Sequence, residues 1–148
     1  MKPIDLETYL HEQIPAAQLL AVRVSACSKS EVRLIAPLAP NINHKNTVFG
    51  GSQSVLAILA AWSLVYMQLK GIRNEIVIQE SSMFFLKAAD GEFSATSRYE
   101  DSPQWARFNR MFLKRGKGRI QIESNVYCKD EHVANFKGTY VAFNKSLA

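Results

Sequence analysis

The residues best able to do chemistry cluster in one stretch, NINHKNTVFGGSQSVLAILAAW, residues 41–62. Asn43, His44 and Asn46 bring hydrogen-bonding side chains, Gly50 and Gly51 follow, and a nearly unbroken apolar run begins at once. The first N–H groups of a helix have no partner within it, and the helix dipole favours negative charge there. Glycine lets an incoming carbonyl approach that backbone closely. The pattern therefore suits a carbonyl oxygen on which charge develops, and equally a tight turn from loop into helix. His44 is of the type that activates water or receives a substrate carbonyl, or simply sits solvated on its loop.

A proton acceptor is also needed. Strict alternation places Glu80 with Ile76, Ile78, Ser82 and Phe84, on a mostly apolar face. Burial there would raise its pKa and ready it for proton transfer. Two alternatives stay open: Glu80 faces water, or a bulge near Ser81-Ser82 re-aims it. Asp101, ahead of Ser102-Pro103, reads as a turn or helix-start acid, and Ser52 as an N-cap.

Much of the net charge of +5 is concentrated in Arg107, Arg110, Lys114, Arg115, Lys117 and Arg119. Such a segment favours an anionic partner, a phosphate-bearing cofactor or an acidic carrier protein, or is a solvated face. No nucleic-acid-binding motif accompanies it, so no nucleic-acid partner is expected.

The elements that must position these groups follow from periodicity. Leu6, Leu10 and Ile14 predict a short helix ended by Pro15. "LLAVRVSACSK" and "EVRLIAPL" predict two strands joined through Ser28–Ser30, with Val32, Leu34 and Ala36 on one face. The helix after the glycines is predicted over about Ser52 to Lys70, stopped by Gly71, and is apolar on nearly every side, as suits a helix enclosed by the fold. "EIVIQESSMFFL" and "GEFSATSRYE" predict two more strands, and "QWARFNRMFLK" a helical connection. Two closing strands place Ile120, Ile122, Val126 and Cys128 on one face, and Ala134, Phe136, Tyr140 and Ala142 on another.

With 148 residues, 47% hydrophobic and 21% charged, one domain over 1–148 is expected, with a substantial core. The opening MKPIDLETYLHEQIP has no signal-peptide pattern. The apolar run Val55–Leu69 is short of the roughly 20 residues of a membrane span and reads as a core helix, so no membrane partner is expected. Cys27 and Cys128 lie far apart, without metal-ligand spacing; two reduced thiols, a cytoplasmic location and no metal are expected. Consecutive strands favour an antiparallel sheet in an α+β domain.

This layout resembles the hotdog fold, in which an antiparallel β-sheet wraps a long central helix. NINHKNTVFGG resembles the hotdog thioesterase motif, where a polar loop with an Asn leads into a His-Gly-Gly or Phe-Gly-Gly step, and SMFFLKAA resembles a later strand. The nearest resemblance is to the putative thioesterase family also found as the C-terminal domain of some bacterial acetyltransferase fusions. It implies a homodimer or dimer of dimers with acyl-thioester sites at the subunit interface, and a backbone N–H of the Gly50/Gly51 step polarising the thioester carbonyl. It also implies that Asn43 orients water or substrate. Many such enzymes carry an Asp or Glu about two turns into the central helix. Here that place falls at or near Ile58, and no acid occurs from Gly50 to Lys70.

The expected function is hydrolysis of an acyl-CoA or acyl-carrier-protein thioester, in a fatty-acid context. Glu80 or His44 would take the proton, and the basic segment Arg107–Arg119 would hold the phosphates. No cofactor is expected beyond the CoA or phosphopantetheine of the substrate. The alternative is a module that binds the acyl chain without cleaving it, in support of an acetyltransferase or fatty-acid enzyme. A dehydratase using His44 ranks below both.

Overall fold

A computed structural model of the chain describes residues 1–147. Pro3 opens helix α1 (Pro3–Gln13), and the Lys2 N–H donates to Asp5 Oδ2 at 3.0 Å. Leu6 and Leu10 are buried. Pro15 does end this helix, but it also starts a short second one, α2 (Pro15–Leu19), as proline can at a first helical position. Strands β1 (Arg23–Cys27) and β2 (Glu31–Ala36) form a hairpin whose turn is held by Ser28 Oγ, which accepts the N–H groups of Ser30 and Glu31. Val32, Leu34 and Ala36 share the buried face of β2.

The central helix α3 (Gly50–Gln68) begins two residues earlier than its sequence suggests, because Phe49, not Ser52, is its N-cap residue. Strands β3 (Asn74–Phe85), β4 (Phe93–Arg98), β5 (Lys117–Cys128) and β6 (Glu131–Asn144) follow, with α4 (Pro103–Arg115) between β4 and β5. Every strand pairing is antiparallel, in the order β1-β2-β4-β5-β6-β3, and α3 touches all strands from β2 to β6. This is the hotdog arrangement. Ile120, Ile122, Val126 and Cys128, and likewise Ala134, Phe136, Tyr140 and Ala142, face the core as their alternation predicts.

Helix α4 sits where the sheet parts. β4 pairs with β5 only from Phe93–Thr96 to Asn125–Cys128, and α4 lies against the rest of β5. Ser102 caps it, Gly116 ends it with φ of 76°, and Trp105, Phe108 and Phe112 are its buried ridge. A side chain at Gly118 would meet Phe108, so this glycine lets α4 seat against β5.

α3 is less enclosed than its composition suggests. Leu56, Ala57, Ala60, Ala61, Leu64 and Val65 are fully packed, whereas Val55, Ile58, Trp62 and Tyr66 form a half-buried strip along one side. Tyr9 of α1 stacks on Trp62 and Tyr66 at the far end of the strip. β3 is an outer strand of the sheet, and Val77, Ile78, Phe84 and Phe85 on it are exposed.

Candidate functional site

The mouth of α3 is built by the loop before it. Residues 41–49 form a small hairpin: the Asn43 N–H donates to the Thr47 carbonyl at 2.8 Å, Ile42 bridges Val48, and the Phe49 N–H donates to the Asn41 carbonyl at 2.7 Å. Of the first four N–H groups of α3, those of Ser52 and Gln53 are taken by the Phe49 carbonyl, at 3.0 and 3.2 Å. Those of Gly50 and Gly51 have no acceptor among the described residues. Two aromatic rings flank them. A Cβ on Gly50 would lie 3.2 Å from the Phe85 ring, and one on Gly51 would lie 2.3 Å from the Phe49 ring.

A cleft opens on each side of this step. One, of about 410 Å³, is lined by Val48, Gly50, Gln53, Phe85 and Lys87; the other, of about 330 Å³, by Asn41, Phe49, Gly51, Ser52 and Val55. The second runs into the half-buried strip of α3 through Val55. Free helix-start donors beside apolar walls can hold a carbonyl oxygen as it gains charge.

The structure distributes the sequence candidates unevenly. Asn43 spends its carboxamide on its own loop: Oδ1 accepts the N–H groups of Lys45 (2.9 Å) and Thr47 (3.2 Å), and Nδ2 donates to Thr47 Oγ1 (2.9 Å). In this chain it shapes the mouth. His44 is exposed at the tip of that hairpin. Glu80 is not where alternation puts it. The register slips between Ile78 and Glu80, so Gln79 is an extra residue and the facing of β3 reverses. Ile78 lies opposite inward Tyr140, but Glu80 lies opposite Thr139, on the side away from α3, and is exposed. Ser82 and Phe84 turn outward with it, while Met83 and Phe85 turn in.

The basic segment is not brought to the mouth within one chain. Arg107, Arg110, Lys114 and Arg115 line the exposed face of α4, and Lys117 and Arg119 extend it onto β5. None of the six joins an ion pair among the described residues; the Lys117 ammonium lies 5.6 Å from the centre of the Phe143 ring. Lys117 pairs with Phe143 at one end of β6, and Phe85, beside Gly50, pairs with Ala134 at the other. At about 3.4 Å per residue the two places are roughly 30 Å apart.

Two residues of the mouth escape a sequence reading. Asn41 is buried, and its Nδ2 donates to the carbonyls of Leu20 (3.0 Å) and Pro37 (2.8 Å), leaving Oδ1 without a partner among the described residues. Gln53 is also buried, with Nε2 directed at the Val48 carbonyl at 3.5 Å and Oε1 without a partner among the described residues. The signal for Gln53 was its place three residues after Gly50, on the same helix face. Nothing in the sequence separates Asn41 from Asn43 or Asn46.

Comparison with known proteins decides the family. Residues 4–144 match the family described as "Putative thioesterase (yiiD_Cterm)". The chain belongs to this family. The putative thioesterase from Shewanella oneidensis superposes with a TM-score of 0.83 at 26% identity, over 95% of this chain and 96% of that one. A protein of unknown function from Chlorobaculum tepidum matches at 0.89 and 27% identity, over 97% and 94%. A thioesterase from Haemophilus influenzae shares the fold at 0.78 and 12% identity, over 97% and 92%. In this member of the family the central helix carries no acid, so the helix mouth supplies donors but no carboxylate.

Proposed function

We propose that the protein hydrolyses acyl thioesters of CoA or of an acyl carrier protein. The observation that carries this reading is the pair of N–H groups at Gly50 and Gly51 without acceptors among the described residues, opening on two clefts, the one beside Gly51 mostly apolar, in a chain of the family described as "Putative thioesterase (yiiD_Cterm)". Water adds to the thioester carbonyl carbon. The C=O pair moves onto oxygen and is held by those N–H groups and the helix dipole. Collapse re-forms the carbonyl and breaks the C–S bond, giving a carboxylic acid and a thiol. Glu80 faces away from α3, so in this reading the proton goes to His44, on the exposed tip of the hairpin before the mouth, or to solvent.

The working unit in this reading is a homodimer. β3 offers a 12-residue edge, bulged at Gln79 but without Lys or Pro, with Val77, Ile78, Phe84 and Phe85 exposed, and an exposed edge of this kind is a template for pairing. Two-fold pairing runs the two β3 strands in opposite directions. It covers the strip on α3 and carries the partner's Lys117 end toward this chain's Phe85 end, where its cations can meet CoA phosphates.

A second reading, an acyl-CoA-binding module without turnover, is favoured by the absence of any acid from Gly50 to Lys70. One experiment separates them: thiol release from acyl-CoAs of graded chain length, beside direct binding of the same panel. Turnover of any member supports the hydrolase; binding without thiol release replaces it with the module.

A further inference from the structure

The helix mouth supplies donors for an oxyanion, but its own helix supplies no carboxylate to hold the attacking water. Gln53 is a buried polar side chain of α3 close to those donors. It is 3% exposed, lies one turn into α3 on the face of Gly50, and lines the same cleft as Gly50 and Phe85. Its one hydrogen-bond partner among the described residues is the Val48 carbonyl, which only accepts, so the NH₂ end turns to it and Oε1 is the end left over. A buried acceptor without a donor is unfavourable, and buried polar groups without protein partners are ordinarily met by a water or a ligand.

We propose that Gln53 Oε1 accepts a hydrogen bond from the water that attacks the thioester, so that a neutral carboxamide orients the nucleophile beside the Gly50 and Gly51 donors. This rests on the hydrolase reading above. A carboxamide is no base, so Gln53 fixes the lone pair of the water toward the carbonyl carbon while the proton leaves to His44 or solvent. The new C–O bond forms as the carbonyl pair moves to oxygen. The C–S bond then breaks, and the thiolate takes a proton from solvent.

Two variants test this. Gln53→Met keeps the length of the side chain and removes the acceptor; Gln53→Glu keeps an acceptor and adds a base. With an active wild type, Gln53→Met should lower kcat about tenfold, the scale of one lost hydrogen bond, with KM unchanged and thermal unfolding close to wild type. Wild-type kcat in Gln53→Met would overturn the proposal. If the wild type releases no thiol from any acyl-CoA, the hydrolase reading fails on its own, and Gln53→Glu decides the position. New hydrolysis whose rate rises with pH as a carboxyl group ionises supports water bound at residue 53, and its absence overturns it.

Discussion

The Tyr140 hydroxyl donates a hydrogen bond to the Ile58 carbonyl at 2.7 Å, in the middle of α3. One residue earlier, Ser124 Oγ donates to the Ala57 carbonyl at 2.9 Å and is itself bonded to Ser97 Oγ. Sheet side chains thus grip the middle of α3 through its backbone.

Tyr140→Phe tests that grip. Burial pushes the Tyr140 phenol above its ordinary pKa of 10.0. The group is neutral when protonated, so its stabilisation is complete below about pH 10 and is lost as pH rises above that, because only the unfolded chain ionises readily. The substitution should cost about 1 kcal/mol at pH 8, the worth of one hydrogen bond. It should also flatten the alkaline fall in stability, measured by urea unfolding between pH 8 and 11. Parallel pH dependence in the two proteins would show that Tyr140 is not the group responsible.

Gly51→Ala should separate stability from activity. The three atoms nearest the added Cβ all belong to the exposed Phe49 ring, which can swing aside, so unfolding should shift by less than about 1 kcal/mol. The displaced ring and the new methyl both crowd the N–H group that receives the carbonyl. Thiol release should fall at least about tenfold, within the range seen when a single oxyanion donor is lost or blocked. Full activity would move the oxyanion site elsewhere.

What the sequence reveals here depends on whether a feature is periodic. Val32, Leu34 and Ala36 on β2, and Ile120 and Ile122 on β5, announce their buried face because nothing interrupts the pleat. The facing of Glu80 stays open in the sequence for the converse reason: one extra residue, Gln79, reverses every side chain beyond it and turns Glu80 to water, and a bulge conceivable at Ser81-Ser82 has no charge or hydropathy signal that places it two residues earlier. The glycine step of the mouth is legible because helix starts obey local rules. The division of labour among Asn41, Asn43 and Asn46 is not, since three identical side chains differ only in what the tertiary fold brings near. The half-buried strip of α3 is hidden similarly, because composition tells that a helix is apolar and not how many of its sides one chain can cover.

Wild-type protein should be a dimer at micromolar concentration by sedimentation, and Ile78→Arg should make it a monomer. Ile78 is 38% exposed on the α3-facing side of the β3 edge, so a charge there disturbs little inside one chain. In the paired sheet it would be buried without a partner, which is costly. A monomeric wild type would remove the β3 pairing and the shared site with it.

The separation of the basic segment from the mouth of its own chain makes a sharper prediction, because the dimer should use it across the interface. Arg107→Ala with Arg110→Ala should weaken acyl-CoA binding at low ionic strength, with the difference shrinking as salt screens it. Gly51→Val should abolish turnover while leaving the basic segment intact. Neither homodimer then has a complete site. If each mouth is served by the partner's cations, a mixed dimer of the two variants contains one site with an intact mouth and an intact basic segment. Co-expression and purification through two different tags isolates it. Acyl-CoA affinity and thiol release at that one site should return to wild-type values, giving about half the activity per dimer. If instead each mouth used its own α4, the mixed dimer would pair the one working mouth with the depleted segment, and its affinity would stay that of the Arg107/Arg110 variant.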